Sequence, residues 1–66
     1  MKRDYFVVAT WEQNGCDCKS FDTYHDTFRD VVYMARQFAR FYGSYCEYSF
    51  VNVTVYDEHD VIVFEA

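Results

Sequence analysis

Asn14-Gly15 is the feature that most narrows what this chain can become. It stands between Tyr5-Phe6-Val7-Val8-Ala9-Thr10-Trp11-Glu12-Gln13 and Cys16-Asp17-Cys18-Lys19-Ser20-Phe21. An Asn-Gly pair between two extended runs is the strongest short signal for a two-residue type I′ hairpin, because both turn residues must take positive φ. A turn of that length also dictates register. Gln13 should pair with Cys16, Trp11 with Cys18, Ala9 with Ser20 and Val8 with Phe21.

Gly43 is the only other glycine, and the chain has no proline, so nothing reads as a linker. Before it, Phe28, Val31, Val32, Ala35, Phe38, Ala39 and Tyr42 recur at intervals of three and four, which at about 100° per residue places them on one helical face. Met34 and Phe41 widen that face along one edge, while Arg29, Arg36 and Arg40 line the opposite edge within roughly 40°. The spacing predicts a helix from about Tyr24 to Tyr42, with Asp22 or Thr23 as N-cap and Gly43 as the left-handed residue that ends it. The arginine stripe reads as a solvated face, with Asp26 three residues before Arg29 as a partner across one turn, or as a docking edge for an acidic partner or a second copy of the chain.

Beyond Gly43, Tyr48-Ser49-Phe50-Val51-Asn52-Val53-Thr54-Val55-Tyr56 and Val61-Ile62-Val63-Phe64 flank Asp57-Glu58-His59-Asp60, a strand, acidic turn and strand. With Glu58-His59 as the turn, Val55 faces Ile62 and Val53 faces Phe64. Val51, Val53, Val55, Ile62 and Phe64 then form the apolar surface that the helix needs. The expected architecture over residues 1–66 is a single α+β domain, ββαββ, with a mainly antiparallel four-stranded sheet and one helix on one face.

Such a fold leaves the second sheet face uncovered. Strict alternation puts Tyr48, Phe50, Asn52, Thr54, Tyr56, Val61 and Val63 there, together with Tyr5 or Trp11 according to register. That face is too aromatic for a solvated sheet. Composition points the same way: one small domain of this length buries only about 60% of its unfolded surface, and seven Phe, seven Tyr and one Trp exceed what its core can enclose. Exposed aromatics gathered in a patch mark an interface.

The net charge of −5 opposes direct contact with a phosphate backbone, which is recognised through Lys and Arg. It suits a basic partner, such as a protein surface that itself holds nucleic acid, and it also serves solubility. No apolar run reaches the roughly 18–20 residues of a membrane span, and Met1-Lys2-Arg3 leads into a strand-like segment and not a signal peptide, so the expected compartment is the cytosol.

Residues with chemical potential are few. Cys16 and Cys18 project to one side of a strand about 6.5–7 Å apart, too far for a mutual disulfide, and three cysteines leave one unmatched. A zinc site drawn from Cys16, Cys18, Cys46 and His25 departs from the usual ligand spacings, so free thiols packed as small apolar residues are expected, with no metal or cofactor. His25 is expected in the first helical turn and His59 in the acidic tip, neither beside a nucleophile. Asp57, Glu58 and Asp60 lack the spacing and the Gly bend of a calcium loop. No Gly-rich phosphate loop or nucleophile elbow is present, and the chain is not expected to be an enzyme.

The leading expectation is a non-enzymatic module that covers a basic surface of another protein. Tyr48, Phe50 and Tyr56 would supply its desolvated anchor, and Glu47, Asp57, Glu58 and Asp60 would steer it. In composition and shape the chain is similar to phage-encoded inhibitors of host defence, such as anti-CRISPR and anti-restriction proteins, some of which imitate nucleic acid with carboxylates. The host cytoplasm would then be its location. The alternatives are a homodimeric assembly protein and a small metal-binding protein using Cys16 and Cys18.

Overall fold

The computed structural model describes residues Met1–Ala66, with strands β1 (Arg3–Gln13) and β2 (Cys16–Asp26), helix α1 (Phe28–Gly43), and strands β3 (Tyr48–Tyr56) and β4 (Ile62–Glu65). The strands form one antiparallel sheet in the order β2-β1-β3-β4, with α1 packed across one face: the ββαββ α+β arrangement. The helix is not long and apolar enough to cross a membrane.

The first hairpin forms in the register that its turn demands. Asn14 and Gly15 take φ of 52° and 78°, and every pair from Gln13↔Cys16 through Trp11↔Cys18, Ala9↔Ser20 and Val8↔Phe21 is in place. The ladder then runs further than the local signals imply, to Arg3↔Asp26. That extension moves the start of the helix. Residues 24–26, expected in the first turn of α1, are strand residues bonded to β1, and the helix begins at Phe28 with Thr27 as N-cap. The Thr27 hydroxyl accepts the Asp30 N–H at 3.2 Å. A cap of that kind satisfies one of the four donors that a helix start leaves open. Asp26, expected to pair with Arg29, instead accepts the Thr27 N–H at 2.8 Å, and none of Arg29, Arg36 and Arg40 has a carboxylate partner. At the other end Gly43 stays within the helix, and Ser44 closes it in right-handed backbone (φ −81°), its N–H donating to the Arg40 and Phe41 carbonyls.

The core is thin. Tyr5, Val7 and Ala9 of β1, Val53 and Val55 of β3, and Val31 and Ala35 of α1 are its buried members, and no polar residue is buried with them. Trp11, Tyr24, Phe38, Tyr42, Val63 and Phe64 pack around it. Tyr5 and Trp11 therefore belong to the helix side and not to the outer face.

Candidate functional site

Two bulges decide which aromatic residues reach the outer sheet face. Between Thr10↔Asn52 and Glu12↔Ser49, β1 advances two residues and β3 advances three. The extra residue falls at Phe50-Val51, where Phe50 takes φ 55°. An added residue reverses the phase of alternation. Asn52, Thr54 and Tyr56 thus face outward, while Tyr48, expected beside them, turns to the helix side. There it stacks on Trp11 at 5.1 Å, and Trp11 stacks on Tyr42 at 5.2 Å. Tyr45 and Phe41 extend the ladder of rings, at 4.9 Å from Tyr48 to Tyr45 and 5.1 Å from Tyr45 to Phe41. Partial burial, with Tyr45 and Glu47 nearby, raises the Tyr48 phenol above its usual pKa. Tyr48 is a packing residue at the end of the helix.

The second bulge lies in β4. Val55 pairs with Phe64 and Tyr56 with Ile62, leaving Val63 as the extra residue, and Val53 exchanges hydrogen bonds with Ala66. The expected pairs Val55–Ile62 and Val53–Phe64 do not form. The turn is longer than Glu58-His59 alone: Asp57 N–H donates to the Val61 carbonyl at 2.9 Å, and Asp60 sits at φ 61°. Phe64 keeps its place on the helix side, under the Arg36 guanidinium at 5.5 Å, whereas Ile62 moves to the outer face and is 51% exposed.

The outer face that results is centred on residues of the first hairpin. Phe6, Val8 and Phe21 meet Tyr56 and Ile62 across the strands, and Phe6 stacks on Phe21 at 5.6 Å. Phe6, Val8, Lys19, Phe21, Tyr56 and Asp60 line an open depression of about 310 Å³. Of the anticipated anchors only Tyr56 belongs to this centre. Phe50 is 78% exposed at one end, beside Thr10, Glu12, Asp17 and Lys19. Phe6 and Phe21 were missed as anchors, although the Asn14-Gly15 register already placed Val8 opposite Phe21 on one face of the hairpin.

Carboxylates frame the patch from two ends. Because β3 runs antiparallel to β1, with Phe6↔Tyr56 and Gln13↔Tyr48, the two hairpin tips lie at opposite ends of the sheet. Glu12 and Asp17 pair at one end, near the loop that carries Glu47, and Asp4 with Asp57, Glu58 and Asp60 mark the other, separated by the length of β3, about 25 Å. Glu47 therefore does not join the Asp57–Asp60 cluster. Glu65 adds a charge on the β4 side, opposite Thr54. Lys19 is the one lysine or arginine near the centre.

Asp57 holds its turn together. Its Oδ1 accepts the N–H of His59 at 2.8 Å and of Val61 at 3.0 Å. The Val61 bond first, then that of His59, keeps its carboxyl below the ordinary value of 3.8. A carboxylate whose pKa falls on folding contributes stability that is complete above the unfolded value and disappears as pH drops through the folded one. The melting temperature should therefore decline below about pH 4, and Asp57→Asn, which keeps the acceptor oxygen, should flatten that decline; identical acid profiles for both proteins would contradict the assignment.

Phe50 carries backbone strain with little packing in return. A side chain in left-handed backbone costs about 1–2 kcal/mol, and this one is mostly in solvent. Phe50→Gly is expected to raise stability by about 0.5–1 kcal/mol in urea denaturation, after the extra flexibility of glycine in the unfolded chain is counted. A loss of stability would show that the exposed ring packs more than its accessibility implies.

Metal chemistry finds no assembled site. Cys16 and Cys18 lie by the first turn and Cys46 in the loop after α1, but His25 is at the far end of β2, where its Nδ1 meets Asp4 Oδ1 at 2.7 Å. No three His, Cys, Asp or Glu side chains are gathered so as to hold a metal ion. His25 is thus a strand residue and not part of the first helical turn. Comparison with family models, curated proteins and solved structures finds no match for the chain.

Proposed function

We propose that the chain is a non-enzymatic protein-binding module whose outer sheet face covers a basic, nucleic-acid-binding surface of a partner protein, in the manner of phage anti-defence inhibitors. One observation carries the reading: an uncovered apolar centre of Phe6, Val8, Phe21, Tyr56 and Ile62, framed at both ends by carboxylates. An aromatic centre with a charged periphery suits a protein interface, the centre supplying affinity by desolvation and the rim steering approach and choosing partners by charge. Carboxylates set about 25 Å apart favour an extended basic groove over a single basic side chain.

The test is capture of a partner from nuclease-treated lysate of the natural host, followed by titration of the purified pair. Replacing Asp4, Glu12, Asp17 and Glu58 with amides should slow association and remove most of its salt dependence. Phe6→Ala with Tyr56→Ala should weaken binding by about 30-fold or more. Affinity that ignores salt in the wild type would rule out charge steering, and unchanged binding by the aromatic double variant would rule out this face.

A further inference from the structure

The two edges of the sheet are managed differently. β4 presents four residues and a bulge, which is how an exposed edge is kept from pairing with another chain. β2 is the other edge, and its protection is limited to charged side chains, Asp17, Lys19, Asp22 and Asp26. It is 11 residues long, lacks proline and bulges, carries only Lys19 among lysines and arginines, and has no strand beyond it. Gln13 and Cys16 close the hairpin as a hydrogen-bonded pair, so by antiparallel alternation the N–H and C=O groups of Asp17, Lys19, Phe21, Thr23 and His25 point away from β1.

We propose that β2 is a self-association edge: two copies of the chain pair β2 with β2 antiparallel about a two-fold axis at Phe21, joining their sheets into one of eight strands. The strand is self-complementary in that register. Phe21 is the midpoint of Cys16–Asp26, so pairing the full length of both strands brings Phe21 of one copy against Phe21 of the other. Asp17 of one copy then stands opposite His25 of the other, Lys19 opposite Thr23, Ser20 opposite Asp22, Cys18 opposite Tyr24 and Cys16 opposite Asp26. Asp17 of one copy meets the His25 imidazole of the other, a hydrogen-bonding partner for its carboxylate, and no like charges stand directly opposite one another, which is the condition for favourable cross-strand pairs. Moving the axis one outward-pointing residue toward either end would set Lys19 against Lys19 or Thr23 against Thr23, with overhanging ends.

Packing leaves the edge accessible. The helix packs chiefly against β3 and touches β1 and β2 far less, and β2 is the edge strand two positions away from β3. Phe21 is 58% exposed on the outer face and already stacked on Phe6, so the symmetric contact covers exposed aromatic surface and merges the Phe6–Phe21 patches of the two copies. Main-chain pairing supplies affinity in strand addition, and alternate side chains supply register. The contact is isologous and closed, so it ends at two chains. It goes beyond the docking reading and does not depend on it, because it rests on the backbone edge.

The test reads mass alone, without a partner, by sedimentation equilibrium between about 1 µM and 1 mM. The wild type should reach twice the 8.0 kDa of one chain. Thr23→Pro removes an outward N–H while sparing the bonds to β1, and it should give a folded monomer. Should that variant fail to fold, the deciding one is Lys19→Cys with Thr23→Cys in a background of Cys16→Ser, Cys18→Ser and Cys46→Ser. Those two positions oppose one another across the axis, within disulfide reach, and mild oxidation should produce a covalent dimer. A wild type that stays monomeric throughout overturns the proposal, as does a dimer that resists this cross-link.

Discussion

Trp11→Ala should cost about 3 kcal/mol, enough to leave much of the chain unfolded at room temperature. A domain of 66 residues has a total stability of only about 3–10 kcal/mol, and Trp11 joins three parts of this one. Its ring stacks on Tyr42 of the helix and Tyr48 of β3, while its backbone pairs with Cys18 of β2. Truncating a packed tryptophan removes both apolar burial and the support of its neighbours, typically about 3–5 kcal/mol, and partial exposure places this one near the lower end. The indole Nε1 adds a second expectation, since it is buried without a hydrogen-bond partner. An unsatisfied buried donor costs about 1–3 kcal/mol, so Trp11→Phe, which keeps a ring and removes the donor, should stay within about 1 kcal/mol of wild type. Urea denaturation followed by circular dichroism measures both. A cost under about 1 kcal/mol for the alanine variant would mean that the aromatic ladder does not hold the end of the helix to the sheet.

Ala35→Leu should be nearly as damaging, for the opposite reason. Ala35 and Val31 are completely buried on the helix face, and Val53 and Val55 are equally buried on the sheet. Three extra heavy atoms there must push the helix away from β1 and β3 or force side chains out of their rotamers, at about 2–3 kcal/mol. Tyr33→Leu, on the exposed side of the same helix, is the control and should change stability by less than about 0.5 kcal/mol. Equal denaturation midpoints for the two leucine variants would show that the layers have slack that the burial of these four residues denies.

Legibility followed the range of the interactions involved. The pairing around Asn14-Gly15 was readable because two residues with positive φ fix a hairpin locally, and the face of α1 was readable because seven apolar residues repeat at helical intervals. The helix start was not readable from Asp22-Thr23, since both are acceptable caps in isolation. What overrides them is the β1 ladder, which continues to Arg3 and holds Tyr24, His25 and Asp26 as strand. Helix ends are vulnerable to such competition because one cap contributes only about 1 kcal/mol. The outer face was legible as an aromatic surface, with Tyr56 correctly placed on it, whereas its framing by carboxylates at two ends was not, because Glu47 was expected to act with Asp57, Glu58 and Asp60 and the antiparallel β1–β3 pairing separates them. Its other members depended on where the strands slip. Strict alternation carried Tyr48 to the wrong side because the bulge at Phe50-Val51 lies in a run of ordinary strand residues, with no glycine to announce it.

From the sequence alone follow the ββαββ order, the antiparallel first hairpin and its register, the apolar stripe of the helix, and the excess of aromatic and acidic groups beyond what a core can use. All of these arise from turn chemistry, periodicity and composition, which act within a few residues or over the chain as a whole. Only the tertiary structure decided that β1 lies between β2 and β3, that the hairpin tips point to opposite ends, and that Phe6 and Phe21 occupy the outer face while Tyr48 does not. Those outcomes turn on long-range pairing, where a single inserted residue reverses every side chain beyond it.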